Sequence, residues 1–179
     1  MKPETTANET VYRGRVFDVT IAEIADGELR YKREIVNHHG SAVIIPVFAD
    51  SSVALVHQYR HAAGKYLWEI PAGTLREGED PAEGARRELE EEIGVAAGAI
   101  EKLAEFYVSP GFLTEKMHLY LATELSETAQ NLDDDELLSI GKFSFHELFD
   151  KIRAGEIEDA KTIVGITLAG AKFGFSPGG

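Results

Sequence analysis

The apolar and polar positions of the amino-terminal part of the chain predict antiparallel strands. Apolar and β-branched residues recur through residues 11–25 and again through residues 29–38, and Asp26-Gly27 between them is a hairpin turn signal. Residues 1–9 are polar and are expected to be loosely placed. Two strands alone are marginally stable in water, so this hairpin is expected to pack on the rest of the chain, on a second subunit or on both.

Further strands and three helices are predicted in the remainder of the chain. Short apolar runs bounded by turn residues predict strands at 41–49, 52–60, 100–111, 117–125 and 137–143. Capping residues and helical spacing predict helices at 81–93, 145–154 and 161–173. Strands that outnumber helices in this order indicate an α+β sandwich. We expect a β-hairpin region over residues 1–39 and a main domain over residues 40–179.

Composition and charge narrow the classes of function. The 179 residues include 31 acidic and 18 basic side chains, and the net charge of −13 argues against a nucleic-acid partner, which needs basic surface. The absence of cysteine excludes disulfides, thiolate metal sites and cysteine catalysis. No apolar run approaches the length of a membrane span, and the start of the chain lacks a signal-peptide core. The protein is therefore expected to be soluble and cytoplasmic, with no membrane partner.

The predicted helix over residues 81–93 carries more acid than solubility requires. At about 100° per residue, Glu88, Glu91 and Glu92 share one sector of the helix, and Arg87 is close enough to offset part of their repulsion. A solvated acidic face is the alternative for any glutamate-rich helix taken alone. Hard divalent cations bind carboxylate oxygens and keep positions open for water and phosphate. The cluster therefore suggests Mg²⁺ or Mn²⁺, which would also make an anionic substrate compatible with the acidic chain.

Residues 73–95, GTLREGEDPAEGARRELEEEIGV, resemble the Nudix box of the Nudix hydrolases at all its fixed positions. The resemblance implies an α/β/α sandwich with a mixed sheet. It also implies cleavage of nucleoside diphosphates linked to another moiety, with divalent metals bound by box glutamates. It implies Glu88, Glu92, Glu91 and the carbonyl of Ala72 as ligands for two or three Mg²⁺ ions, with Mn²⁺ able to substitute. Glu79 would help to hold this cluster through Arg87 or water.

The chain is similar over nearly its whole length to the ADP-ribose pyrophosphatase branch of that family. The similarity rests on REIVNHHG before the box, on QYRHAAGKYLWEIPAG leading into it and on YVSPGFLTEK after it. It implies cleavage of ADP-ribose to AMP and ribose 5-phosphate. Enzymes that act on GDP-mannose or other nucleotide sugars share much of this framework. A sensor that binds ADP-ribose without hydrolysing it is an alternative of another class, although such sensors usually lose box acids that are present here.

A general base is also implied by the resemblance. Related enzymes draw it from an acidic loop before a late strand, which corresponds to residues 133–136 here, and Glu136 is the first candidate. Asp134 is the second, since relatives often have glutamate where this chain has the shorter aspartate. Some members of the family use a box glutamate, so Glu91 stays a candidate, and a solvated acidic turn is the structural alternative.

Candidate substrate contacts lie outside the box. Arg60 is suited to binding phosphate through its guanidinium fork, although residue chemistry alone favours a surface salt bridge. The resemblance implies that Glu115 binds the terminal ribose or a metal-linked water and that Phe112 shapes the pocket. Trp68 is a candidate for base stacking, but a tryptophan at such a position is more often part of the core. Relatives dimerise by exchanging the hairpin, so Lys32 or Arg33 would reach the substrate of a partner subunit in a homodimer.

Overall fold

The structure is a computed structural model that describes residues 2–132 and 137–176. Its amino-terminal part is an antiparallel sheet with the strand order β1-β2-β3. The three strands are β1 (Glu4–Arg13), β2 (Phe17–Asp26) and β3 (Leu29–His38). Gly27, in the turn between β2 and β3, has a φ of +61°, which glycine adopts without steric cost. The predicted Asp-Gly hairpin is confirmed.

The first strand corrects the prediction for the amino terminus. Residues 4–9 belong to β1 and are not loosely placed, and residues 11–25 are not one strand, because the chain runs through β1, reverses at residues 14–16 and returns as β2. Every position of β1 is exposed. An edge strand without a buried face has no alternation of apolar and polar residues to reveal it, and β1 is formed instead by its backbone pairing with β2.

Two further sheets form the main body of the chain. One is mixed and has the order β7-β4-β9-β8, in which only β4 and β9 pair in parallel. Its strands are β4 (Ser41–Pro46), β7 (Ala72–Thr74), β8 (Val95–Tyr107) and β9 (Lys116–Glu127). The other is antiparallel and has the order β10-β5-β6. Its strands are β5 (Ser52–Arg60), β6 (Lys65–Glu69) and β10 (Leu138–Ser144).

The helices confirm the predicted positions. They are α1 (Pro81–Glu88), which continues as a π-helical segment over Leu89–Ile93, then α2 (Phe145–Ala154) and α3 (Ala160–Lys172). Ser144 and Glu147 form a reciprocal capping box at the start of α2, and Gly155 ends that helix with a φ of +73°. None of the helices within the described residues is long and apolar enough to cross a membrane.

Two hydrophobic cores lie on opposite faces of β4. Ile45 packs in the core that contains Leu148 of α2 and Ile166 of α3, whereas Ile44 packs in the core that contains Leu89 beyond α1. All six residues of β4 are buried, as expected for a strand covered on both faces. The predicted α+β sandwich with a mixed sheet is therefore confirmed, and it presents α1 on one side of the sheet and the start of α3 on the other.

Candidate active site

The acids of residues 73–95 are held by a helix that is capped at both ends. The Asp80 carboxylate accepts hydrogen bonds from the backbone N–H groups of Ala82 at 2.8 Å and Glu83 at 3.4 Å, and Pro81 occupies the first helical position. Gly94 ends the π-helical segment with a φ of +73°. The predicted start and end of this helix are confirmed.

The last turn of the helix differs from the prediction. An angular spacing of 100° per residue applies to α1, but residues 89–93 are π-helical, with wider i→i+5 turns. The directions of Glu91 and Glu92 relative to Glu88 are therefore not those of a continuous α-helix. Such π-helical turns are frequent at functional sites.

Arg87 gathers three of the box carboxylates into what we call the Arg87 cluster, formed with Glu79, Glu88 and Glu91. Its Nε donates to Glu79 Oε1 at 2.9 Å, and its Nη1 donates to Glu88 Oε1 at 2.6 Å and to Glu91 Oε2 at 2.8 Å. The hydrogen bond to Glu79 raises the pKa of Arg87 above its ordinary value, although burial opposes this effect. The same hydrogen bond lowers the pKa of Glu79. The cluster contains one cation and three carboxylates, and both pKa shifts favour the charged forms of Arg87 and Glu79.

Two buried carboxylates flank the Ala72–Gly73 peptide. A Cβ atom added to Gly73 would lie 1.9 Å from Glu88 Oε1, so only glycine admits the Glu88 carboxylate in this position. On the other side, the backbone N–H of Ala72 donates to Glu92 Oε2 at 3.3 Å. Glu88 and Glu92 are 7% and 2% exposed. The structure thus brings two of the three predicted glutamate ligands to the same backbone segment as the Ala72 carbonyl.

The chemistry of these donors suits a hard divalent ion. The carboxylates of Glu88 and Glu92 lie against residues 72–73, and those of Glu79 and Glu91 are joined to Glu88 through Arg87. Carboxylate and carbonyl oxygens are the ligands that Mg²⁺ prefers. Within residues 2–132 and 137–176, no three acidic or histidine side chains are grouped as a metal site by themselves. The carboxylates of Glu79, Glu88 and Glu91 are instead paired with Arg87.

Arg60 belongs to what we call the Glu69 cluster, formed by Glu69, Arg60 and Lys161. Arg60 donates to both carboxylate oxygens of Glu69, from Nε and Nη2, at 2.7 Å each. Lys161 donates to the same carboxylate, which is 1% exposed. Burial raises the pKa of Glu69, but hydrogen bonds and charge from Arg60 and Lys161 outweigh it, so the pKa lies below its ordinary value.

Two connected cavities join these clusters. The main cleft has a volume of about 460 Å³ and is lined by Arg15, Arg60, Arg76, Arg87, Glu88 and Glu91 together with the backbone of residues 72–74. A side pocket of about 180 Å³ is lined by Arg60, Lys161, Ser41 and Glu115 and shares residues 72–74 with the main cleft. Arg60 lines both cavities, so the predicted phosphate contact is exposed to the cleft even though it forms a salt bridge.

Glu115 and Phe112 occupy the loop between β8 and β9. Glu115 accepts a hydrogen bond from Ser41 Oγ at 2.6 Å and lines the side pocket. The Phe112 side chain is 55% exposed, and its backbone carbonyl accepts from the N–H of Val36 at 2.7 Å. The loop is thereby attached to the end of β3, which places Glu115 beside the cleft.

Three predicted substrate contacts lie elsewhere in the structure. Lys32 forms an exposed ion pair with Glu23 on the neighbouring strand, at 2.9 Å. The guanidinium of Arg33 lies 4.3 Å from the centre of the Tyr31 ring. Trp68 stacks on His57 with a ring separation of 4.4 Å and packs against the core beside α2 and α3. Trp68 therefore has the contacts of a core side chain.

The acidic-loop candidates lie outside the described residues. Glu136 and Asp134 both fall between residues 132 and 137. The remaining candidate base, Glu91, contacts Arg87 and lines the main cleft.

Several cleft residues were missed by sequence reasoning. Arg15 lies in the reversal between β1 and β2, and that reversal was not predicted. Lys161 was predicted only as the start of a helix, and Glu69 as part of the segment leading into the box. The one available signal was a set of charged residues inside apolar segments, because charged residues are seldom buried unless they are paired.

Comparison with known proteins agrees with this geometry. Residues 38–164 match the model of the NUDIX domain. An ADP-ribose pyrophosphatase of Bacillus subtilis (strain 168) is 36% identical over 93% of this chain and 91% of that protein. A methanol dehydrogenase activator of Bacillus methanolicus is 38% identical over 91% and 90%. A GDP-mannose pyrophosphatase of Cronobacter sakazakii (strain ATCC BAA-894) is 34% identical over 88% and 86%.

Among solved structures, that of an ADP compounds hydrolase matches with a TM-score of 0.85 at 23% identity, over 97% of this chain and 95% of that chain, which shows the shared fold. Hydrolases of the matched family generally use divalent metals. The box acids, the cleft beside them and the domain match together identify the chain as a pyrophosphohydrolase. The chain therefore belongs to the Nudix hydrolase family.

Proposed function

We propose that the protein hydrolyses the pyrophosphate bond of ADP-ribose to give AMP and ribose 5-phosphate, with Mg²⁺ as its cofactor. The observation that carries the proposal is that Arg60 and the box acids Glu88 and Glu91 line one cleft together with residues 72–74. Two relatives named ADP-ribose pyrophosphatase, 36% and 33% identical over more than nine tenths of this chain, support the choice of substrate.

Glu88, Glu92 and Glu91, with the carbonyl of Ala72, are the proposed ligands for two or three Mg²⁺ ions, for which Mn²⁺ can substitute. When bound, such ions neutralise a diphosphate and lower the pKa of a coordinated water. Arg87 and Glu79 orient the ligands, since Arg87 contacts both Glu88 and Glu91.

The remaining roles fall to side chains around the cleft. Arg60 binds phosphate oxygens, Glu115 binds the terminal ribose, and Phe112 shapes the exposed side of the pocket. The oxygen of a water bonds to one phosphorus, and the bridging oxygen leaves with the other phosphate. A carboxylate takes the water's proton, and Glu136 and Glu91 are the two main candidates for this base.

The amino-terminal sheet is the proposed dimerisation region, over residues 1–39, with residues 40–179 as the hydrolase domain. In a homodimer Lys32 or Arg33 would reach the cleft of the partner subunit. Both side chains lie on the exposed strand β3, which is compatible with such a contact. The proposed cellular location is the cytoplasm.

A nucleotide sugar such as GDP-mannose is the alternative substrate, since a GDP-mannose pyrophosphatase is 34% identical over 88% of this chain. The relative named as a methanol dehydrogenase activator matches nearly the same length. No contact among the described residues favours an activator role over hydrolysis. A sensor that only binds ADP-ribose is disfavoured by the complete set of box acids.

The test compares the release of AMP from ADP-ribose with the release of GMP from GDP-mannose under the same Mg²⁺ concentration, with chelator as the metal-free control. Glu92→Gln keeps the shape of the buried side chain and removes its charge, and we expect it to lower kcat at least about a hundredfold. Glu90→Gln removes the same charge from an exposed position of the same segment and should retain activity. Folded wild-type protein that releases no AMP from ADP-ribose would refute the proposed substrate.

A further inference from the structure

Lys161 occupies a position that is electrostatically unfavourable for a lysine. It is the second residue of α3, and its side chain is only 7% exposed. The first turn of a helix carries partial positive charge, and a buried ammonium group loses its hydration. Two carboxylates offset these costs, because Lys161 Nζ contacts Glu69 and lies 3.1 Å from Asp159 Oδ2.

The carboxylate of Glu69 is shared between two cations. Its Oε2 accepts from both Arg60 Nη2 and Lys161 Nζ, and its Oε1 accepts from Arg60 Nε. Glu69 thereby fixes the plane of the Arg60 guanidinium, because two parallel hydrogen bonds leave the fork little freedom. If Lys161 were neutral, the full negative charge of Glu69 would offset the positive charge of Arg60.

The first turn of α3 is also attached to the backbone next to Glu69. The N–H of Ile70 donates to Thr162 Oγ1 at 2.8 Å, and Thr162 Oγ1 donates in turn to Asp159 Oδ2 at 2.5 Å. A Cβ atom added to Gly165 would lie 2.7 Å from Ile70 Cδ1, so α3 packs closely on this segment. The position of Lys161 relative to Glu69 is therefore set by backbone and core contacts and does not depend on the ion pair alone.

We propose that Lys161 is a positioning residue for Arg60. By balancing the charge of Glu69, it leaves the positive charge of Arg60 available to an anionic group in the cleft, while Glu69 keeps the guanidinium in one orientation. Lys161 acts through Glu69 and Arg60 and takes no part in the chemical step. This role rests on the proposed function of Arg60 as the group that binds substrate phosphate.

The experiment is a double-mutant cycle between Lys161→Gln and Arg60→Gln, with KM and kcat measured separately. Glutamine at position 161 can still donate a hydrogen bond to Glu69 but carries no charge. We expect Lys161→Gln to raise KM about tenfold with little change in kcat, because it weakens the binding of an anion in ground and transition states alike. In the Arg60→Gln background the same substitution should have almost no further effect, since coupled residues are not additive.

Two further variants separate position from charge. Lys161→Arg keeps the charge and should restore a KM near that of the wild type. Lys172→Gln is the matched control, because Lys172 lies on the same helix and pairs with Glu101 at 2.7 Å on the surface. An equal rise in KM in the two backgrounds, or an unchanged KM for Lys161→Gln, would overturn the proposal.

The same double-mutant cycle can be measured by ligand binding, which needs no turnover, and a further variant covers the case in which Lys161→Gln does not fold. Calorimetric binding of ADP to the same variants tests the role of Lys161 even if ADP-ribose is not the substrate, so failure of the two proposals can be told apart. If Lys161→Gln does not fold, the Glu69→Gln/Lys161→Gln double variant removes both charges and avoids an unpaired buried carboxylate. In that variant no charge at position 69 offsets Arg60, and glutamine can still accept a hydrogen bond from its guanidinium, so ADP should bind with an affinity near that of the wild type. A tenfold loss of ADP affinity in it would contradict the charge-balancing role of Lys161.

Discussion

The Arg87 cluster and the Glu69 cluster are opposite arrangements of the same chemical groups. In the first, one guanidinium contacts the carboxylates of three glutamates, whereas in the second, one buried carboxylate contacts two cations. Residues 72–74 line both cavities, and Arg60 and Arg87 line the main cleft with them. The Arg87 cluster has an excess of negative charge, whereas the two cations of the Glu69 cluster are balanced by Glu69 and by Asp159, which lies 3.1 Å from Lys161.

The difference between the two clusters explains how an acidic protein can accept an anionic substrate. Carboxylates in excess attract cations, and the arginines that line the cleft, Arg15, Arg60 and Arg76, can bind phosphate oxygens, so a complex of metal ions with a diphosphate matches both kinds of group. The net charge of −13 describes the whole surface and says nothing about this local separation. Each prediction below changes one of the two clusters and leaves the other unchanged.

The largest effect is expected from Gly73→Ala, which displaces Glu88 of the Arg87 cluster. The new Cβ atom would overlap the Glu88 carboxylate, so Glu88 must turn away from residues 72–74. A displacement of about 1 Å at such a group can cost about a hundredfold in rate. We expect kcat to fall by that factor and the Mg²⁺ concentration for half-maximal rate to rise. Circular dichroism should show a folded protein, and an unchanged dependence on Mg²⁺ would contradict the assignment of Glu88 as a ligand.

A smaller effect is expected from Arg87→Lys, which keeps the positive charge of the Arg87 cluster but removes the guanidinium group. A lysine ammonium is a point charge and cannot reproduce the planar fork that contacts Glu79, Glu88 and Glu91 together. Groups that orient metal ligands typically contribute about 10- to 100-fold to metal affinity or activity. Metal titration of the rate should show this loss. Arg86→Lys is the control, since Arg86 donates at 2.8 Å to the carbonyl of Ala97 instead. Equal losses in both variants would point to general helix destabilisation.

The smallest effect is expected in the pH dependence of stability, and it arises from Glu69 in the Glu69 cluster. The pKa of Glu69 is lower in the folded state than its ordinary value of 4.5, so folding favours the charged form. The stabilisation is complete above pH 4.5 and is lost as the pH falls through the lowered pKa. Glu69→Gln lacks this titration. Denaturant unfolding at several pH values should therefore show that the difference in the free energy of unfolding between wild type and Glu69→Gln decreases below pH 4.5. A difference that increases as the pH falls would contradict the lowered pKa of Glu69.

Much of the fold could be predicted because its signals are local. Asp80 and Gly94 mark the ends of the box helix, Ser144 and Gly155 mark the ends of α2, and each acts on its own backbone. The buried strands β4 and β5 appear as apolar runs. The edge strand β1 was not predicted, because its stability comes from pairing with β2, and its own residues are all exposed.

The candidate site divides in the same way. The amino-acid sequence by itself determined the acidic helix and the membership of the chain in the Nudix family. About eight residue types at fixed spacing occur within 23 consecutive positions, 73–95. Only the tertiary structure showed that Arg87 gathers three acids, that Gly73 makes room for Glu88, and that Lys161 shares Glu69 with Arg60. Lys161 and Glu69 are 92 residues apart. No local pattern records such a distance, because it results from the packing of α3 against the sheet.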